Sequence, residues 1–254
     1  MANIAVITGV SRGLGESIAK LFLESGVSVI GISRAENKKL PKIAEENNQL
    51  YNHFSCDLSD IVQLEKTIDA IHETIRLQEE QIETIYLLNN AGVVHPINQA
   101  KNIKSDELVT HVTINTIAPM VLTNKFLKNQ TEHQLPLIVA NVSSGAAERG
   151  VYGWSAYSST KASINMYTET VALEQEQLGT ENKIIAFSPG IMDTEMQTEI
   201  RSSKADEFAE VERFKDYKIS NTLRHTDIVA GVLIDIITDE GVLNGKIYNV
   251  KDYI

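Results

Sequence analysis

The chain has 254 residues, 43% of them hydrophobic and 22% charged, and carries a formal net charge of −11. That size and apolar content suit one globular domain with an ample core, expected to span 1–254. The acidic balance argues against nucleic acid or an anionic membrane as the main partner.

The single cysteine, Cys56, excludes an internal disulfide and fits a reducing, cytoplasmic location. It reads as a small buried residue rather than a nucleophile. No run of about 18 apolar residues offers a bilayer span. The opening MANIAVITG lacks the regions of a signal peptide.

Short β-branched apolar runs alternate with longer amphipathic stretches. Strands are predicted at 3–9, 27–33, 49–56, 84–90, 136–144, 182–190 and 245–250. Helical patterns cover 14–25, 61–78, 105–128 and 155–178. Alternation with nearly continuous apolar strands implies a parallel sheet covered on both faces. Right-handed crossovers then give an α/β, doubly wound, Rossmann-like sheet, whose ligands bind beyond the carboxyl ends of the strands.

The first strand is followed by TGVSRGLGESIAKLF, with Gly9, Gly13 and Gly15 opening a helix. The spacing departs from G-x-G-x-x-G, but glycines after a strand let the backbone turn tightly and approach a pyrophosphate at a helix N-terminus. A tight turn without a ligand is the alternative. The second strand ends in GISRAE, where an NAD site usually carries an acidic residue. Arg34 suits a 2′-phosphate there, Arg12 adds charge nearby, and NADP(H) is the expected cofactor. Otherwise Arg34 is a solvated charge at a helix start.

Asp57, in CDLSD after the third strand, suits either an adenine amino group or a helix N-cap. NNAG after the fourth places Asn90 and Gly92 where backbone and cofactor come close. Asn115, in TINTIAP, is a poor helix former close before Pro119, so the helix is expected to be irregular there.

The fifth strand runs into Ser143 and Ser144. Farther on, GWSAYSSTKAS sets Tyr157 and Lys161 four apart, on one helix face. They are either a solvated surface or an acid–base pair. A free Tyr titrates at about 10, and the expectation is that the Lys161 ammonium lowers that value towards the working range.

The sixth strand ends in SPGIMDTEM, where Pro189 and Gly190 force a turn, Ile191 follows and Thr194 offers a hydroxyl. The charged stretch 193–221 lacks a strand signal and reads as a helical flap over substrate, or else as an exposed helix pair. Tyr152, Trp154, Met192 and Met196 are candidates for an apolar, aromatic-accepting pocket, or for core. His95, His111, His133 and His225 are dispersed without ligand spacing, so no metal is expected.

In this order TGVSRGLG, NNAG, Asn115, Ser144, YSSTK and the PG at 189–190 resemble the short-chain dehydrogenase/reductase family over essentially the whole chain. The resemblance implies strand order 3-2-1-4-5-6-7, NAD(P)-dependent carbonyl or alcohol chemistry, and a catalytic tetrad of Asn115, Ser144, Tyr157 and Lys161. Ser144, not Ser143, fits the family's spacing to the Tyr. Tyr157 would give the proton, Ser144 hold the carbonyl oxygen, Lys161 bond the nicotinamide ribose, and Asn115 order a relay water. Gly9, Ser11, Arg12, Gly13, Leu14, Gly15 and Arg34 would contact cofactor early in the chain. Asp57, Asn90, Gly92, Tyr157, Lys161, Gly190, Ile191 and Thr194 would do so later.

Within the family, GWSAYSSTKA and SPGIMDTEMQTEIR resemble the sepiapterin reductases and the bacterial benzil reductases that form (S)-benzoin. Sepiapterin reductases anchor the pterin with an Asp near the C-terminus. The ending YNVKDYI offers Asp252 or Lys251 there, which favours the benzil-reductase side. The expected substrate is an aromatic α-diketone. Alternatives are sepiapterin, another carbonyl or an alcohol, and, in another class, a non-catalytic NADP-sensing protein. The resemblance also implies a homodimer or homotetramer formed through the long helices.

Overall fold

The β-branched runs form the strands of a single sheet in a computed structural model that describes residues 2–77, 82–133 and 135–254. They are β1 (Ala2–Thr8), β2 (Ser28–Ser33), β3 (Tyr51–Ser55), β4 (Ile82–Asn89), β5 (Leu137–Val142), β6 (Lys183–Ser188) and β7 (Ile247–Asn249). The order is β3-β2-β1-β4-β5-β6-β7, and all pairings are parallel. β5 stops at Val142 and β6 at Ser188, short of the Ser, Pro and Gly tails included in the predicted strands. Ser143 N still donates to Phe187 O at 2.8 Å, and beyond it the tails leave the ladder and border the cleft.

The helices are α1 (Gly13–Glu24), α2 (Leu40–Glu46), α3 (Ile61–Arg76), α4 (Ser105–Val112), α5 (Ala118–His133), α6 (Ser155–Leu178), α7 (Glu195–Ser202), α8 (Val211–Ile219) and α9 (Thr226–Thr238). The predicted end of α3 at Gln78 lies outside the described residues. The predicted helix 105–128 is divided: a π-helical segment, Thr113–Ile117, separates α4 from α5. Pro119 has no N–H for the carbonyl of Asn115 four residues back, so the backbone widens there.

Side chains alternate along each strand, and the two sets bury in different layers. Ala5, Ile7, Leu88 and Phe187 pack with Ile18 and Phe22 of α1 and Leu233 of α9. Ile4, Val6, Leu87 and Val139 pack with Leu64 and Ile68 of α3, Leu122 and Phe126 of α5 and Val171 of α6. With both faces covered, the strands need no polar face, which is why their sequences are apolar throughout. No helix among the described residues is long and apolar enough to cross a membrane.

Candidate active site

The carboxyl ends of the strands open on one cleft of about 1650 Å³. At its floor the β1–α1 turn is held by side chains distant in sequence. Gly9 has φ +77 and donates its N–H to Ile32 O at 2.7 Å. The hydroxyl of Thr8 accepts from the N–H groups of Asn90 (3.0 Å) and Ala91 (2.9 Å). Asn90 Nδ2 returns a bond to Thr8 O at 2.9 Å. Buried Asn37 donates to Ser11 O at 3.2 Å. Neither Thr8 nor Asn37 carries a local signal, because their partners belong to other strands and loops.

Ser11, Arg12, Gly13 and Leu14 line this end of the cleft. Gly15 instead packs inside the turn, where a Cβ would collide with Gly9 O and Asn90 Nδ2. Arg12 is tied to Glu195 of α7 at 2.5 Å. Arg34, at the end of β2, is exposed and lines the cleft with no ion pair among the described residues. Asp57 also lines the cleft. Its carboxylate accepts from Ser59 N at 2.9 Å and Ser59 Oγ at 2.8 Å, which hold it below the usual carboxylate range. The N-cap alternative for Asp57 is corrected: Asp60 caps α3, accepting from Gln63 N at 3.0 Å.

Asn90 and Gly92, then Gly190, Ile191 and Thr194, border the middle of the cleft. Gly190 turns at φ +69, and the Thr194 hydroxyl caps α7 by accepting from Gln197 N at 3.4 Å. Asn115 lies just behind Gly92, 2% exposed. Its Oδ1 accepts from Val93 N at 2.8 Å and its Nδ2 donates to Val93 O at 2.7 Å. A Cβ on Gly92 would fall 3.3 Å from Asn115 Oδ1 and 3.6 Å from Lys161 Nζ, so the amide and the lysine converge over this glycine.

Tyr157 and Lys161 are no solvated surface. They begin the buried stripe of α6 that continues through Ile164, Thr168, Val171 and Gln175. Lys161 Nζ donates to Val142 O at 2.8 Å and lies 5.8 Å from the centre of the Tyr157 ring. Burial pulls the Lys161 ammonium down to about 8.

For Tyr157, burial raises the phenol above its ordinary value, and a hydrogen bond with Ser144 pulls it back. The expected lowering by Lys161 is thus corrected. In this enclosure desolvation penalises both phenolate and ammonium.

The two serines divide by strand alternation. Ser143 Oγ donates to Asn165 Oδ1 at 2.6 Å, fastening β5 to α6. Ser144 lines the cleft beside Tyr157, and its Oγ accepts from Ala146 N at 3.1 Å. Beneath them, Asn89 Nδ2 donates to Asn141 Oδ1 at 2.8 Å, and Asn141 Nδ2 to Thr168 Oγ1 at 2.9 Å. This buried polar ladder ties β4, β5 and α6 under the site.

Beyond Tyr157 the wall is aromatic. The Trp154 ring stacks on Phe208 at 4.7 Å and meets Tyr157 at 5.1 Å and Phe214 at 5.5 Å, both edge to face. Trp154, Met192, Met196 and Phe214 line the cleft. Tyr152 does not; it is 52% exposed and points its hydroxyl at Asp206 O. Phe208 and Phe214 could not be placed from sequence, because Trp154, on which both pack, lies 54 and 60 positions away.

Gly153 marks where that stretch meets 193–221. It has φ +89, and a Cβ would collide with Glu207 O. Gly153→Ala is expected to cost about 2–4 kcal/mol. At about 2–4 °C per kcal/mol for this size, Tm falls by about 4–16 °C in a thermal melt.

The short chain dehydrogenase profile matches residues 3–205. A protein of Bacillus cereus called benzil reductase ((S)-benzoin forming) is 38% identical over 247 residues, covering 97% of this chain and 98% of that protein. A Bacillus subtilis (strain 168) protein of the same name is 37% identical over 252 residues, covering 99% and 100%. The crystal structure of the KRED1-Pglu enzyme superposes with a TM-score of 0.82 at 25% identity, covering 97% of this chain and 100% of that one. The sheet order, the glycine turn and the Ser–Tyr–Lys cluster thus coincide with relatedness over nearly the whole length: the chain belongs to the short-chain dehydrogenase/reductase family of NAD(P)(H)-binding oxidoreductases that act on small molecules.

Proposed function

We propose that the chain is an NADPH-dependent carbonyl reductase whose preferred substrates are aromatic α-diketones, benzil giving (S)-benzoin. The observation that carries the reading is that Ser144, Tyr157 and Lys161 line the same cleft as the glycine turn, with Lys161 Nζ 5.8 Å from the centre of the Tyr157 ring. The residues present fit the cofactor. A Cβ on Gly9 would lie 3.0 Å from Asn90 Nδ2 and 3.1 Å from Ala91 Cα, so only glycine leaves this approach open. The β1–α1 turn with Gly13 at φ +62 would hold the pyrophosphate, Arg34 the 2′-phosphate, and Lys161 the nicotinamide ribose.

When bound, the nicotinamide supplies the hydride. Ser144 orients the substrate's carbonyl oxygen, and Tyr157 gives its phenolic proton to that oxygen as negative charge develops there. Lys161, protonated near neutral pH with its value held at about 8, stabilises the phenolate left behind. Asn115 orders the water that restores the proton through Lys161. Trp154, Phe214 and Met196 give an apolar, aryl-accepting wall that excludes bulk water. The names of the two Bacillus relatives support the substrate class.

We read 1–254 as one cytoplasmic domain, with 193–221 as a flap. The lining residues Met196 and Phe214, and the bidentate pair Arg149–Glu210 at 2.7 and 3.0 Å, support the flap. Exposed Met166 and Leu173 on α6 support pairing of copies as a homodimer or homotetramer.

The test is loss of NADPH absorbance with benzil, 1-phenyl-1,2-propanedione and sepiapterin. Turnover of the two diketones, with chiral analysis giving (S)-benzoin, is expected. No oxidation with either diketone overturns the substrate, and sepiapterin as the fastest substrate moves the assignment to pterin reduction. Arg34→Ala isolates the cofactor preference. KM for NADPH should rise about 10-fold or more, as expected when a charge-assisted bond is lost, while KM for NADH stays within about 3-fold. An unchanged ratio of the two sinks the NADP assignment.

A further inference from the structure

His111 is fully buried, and the chemistry proposed above does not use it. It stands one turn before Asn115, where α4 gives way to the π-helical segment. Its Nδ1 lies 2.5 Å from the carbonyl oxygen of His95. A carbonyl offers only lone pairs, so Nδ1 carries the proton. The other ring nitrogen, Nε2, lies 3.0 Å from Asn115 Nδ2 and 3.2 Å from Thr160 Oγ1. The Thr160 hydroxyl donates to Tyr157 O at 2.9 Å.

The Val93 backbone identifies which amide atom of Asn115 is oxygen and which nitrogen, and the imidazole adds a third bond that holds the same rotamer. Oδ1 takes the Val93 N–H and Nδ2 gives one hydrogen to Val93 O. The remaining amide hydrogen meets His111 Nε2. A flipped amide would set nitrogen against the Val93 N–H and oxygen against both the Val93 carbonyl and the imidazole lone pair, so three bonds would become three repulsions. Burial holds the imidazole below its usual range, the carbonyl of His95 opposes this, and the Lys161 charge lowers it further. The ring also meets the Tyr157 ring edge to face at 6.2 Å.

We propose that His111 is a positioning residue: as the neutral Nδ1–H imidazole it takes the second amide hydrogen of Asn115, and so locks the carboxamide with Oδ1 towards Gly92 and the Lys161 ammonium. This inference rests on the reading of Asn115 and Lys161 as a proton path. A phenylalanine would fill the space yet accept nothing. A glutamine would restore an acceptor oxygen near Nε2 while losing the bond to His95.

Two measurements test it. Ring nitrogen-15 NMR of the protein at neutral pH should show His111 as the Nδ1–H tautomer; an Nε2–H tautomer or an imidazolium overturns the assignment. In steady-state kinetics with the fastest carbonyl substrate, His111→Phe should lower kcat about 10-fold or more, the scale of a misplaced catalytic group, with KM for NADPH within about 3-fold. His111→Gln should recover at least about a third of the wild-type kcat, and His111→Phe should change kcat less than about 2-fold in an Asn115→Ala background.

A His111→Phe enzyme within twofold of wild type, a Gln variant no faster than the Phe variant, or an undiminished loss in the Asn115→Ala background each overturns it. Should His111→Phe not fold, the Gln variant and the tautomer decide. A wild-type chain that oxidises no NADPH with any carbonyl sinks the reductase reading instead, and the tautomer then decides His111 alone.

Discussion

Replacing Tyr157 by phenylalanine is expected to lower kcat about 10³-fold, within the range for removing a general acid. That is about 4 kcal/mol of transition-state stabilisation. The ring that packs on Trp154 and His111 is retained, so fold and cofactor binding should survive. Only the hydroxyl is lost. A titration of NADPH binding and a thermal melt, run beside the kinetics, separate the lost proton from a damaged fold. A dissociation constant within about 3-fold of wild type fits loss of less than one hydrogen bond. Turnover within tenfold of wild type would refute the role of Tyr157.

Gly15→Ala is expected to have the largest effect on stability. Its φ is not in the left-handed region; the position is closed by packing. A Cβ there would collide with Gly9 O, lie 2.5 Å from Asn90 Nδ2 and 2.8 Å from the carbonyl carbon of Gly9. The backbone of the turn cannot yield without breaking the bonds that tie Asn90 to Thr8. The cost should be about 3 kcal/mol or more, above the usual overpacking range because backbone atoms are the obstacle. Tm would fall by at least about 6 °C, and NADPH affinity would fall with it as the turn opens. Gly231→Ala on α9 is the control. A Cβ there meets nothing within 4 Å, so helix propensity alone should raise stability by up to about 1 kcal/mol. Equal melting temperatures for Gly15→Ala and wild type would show that the turn is not closed by this contact.

Much of the candidate site was legible because its residues stand in local patterns. Gly9, Gly13 and Gly15 follow a strand, Tyr157 and Lys161 share one turn, and Asn115 before Pro119 marks an irregular helix. Other parts depend on partners remote in the chain. Thr8 and Asn90 are 82 positions apart, and Asn89 and Asn141 are 52 apart. His111 looked like one of several scattered histidines until α4, α6 and the loop after β4 closed around it. Asp57 was offered as a cap, but α3 begins at Ile61, so Asp60 directly before it takes that role.

The sequence by itself determined the parallel sheet, through apolar strand runs and their spacing from amphipathic helices. It also determined that polar and glycine residues collect at the strands' carboxyl ends, since each run is followed directly by them. The tertiary structure decided the chemical state of that collection. Enclosure, rather than the four-residue spacing, sets Tyr157 high and Lys161 low, because desolvation depends on every layer packed around a group and not on its neighbours in the chain.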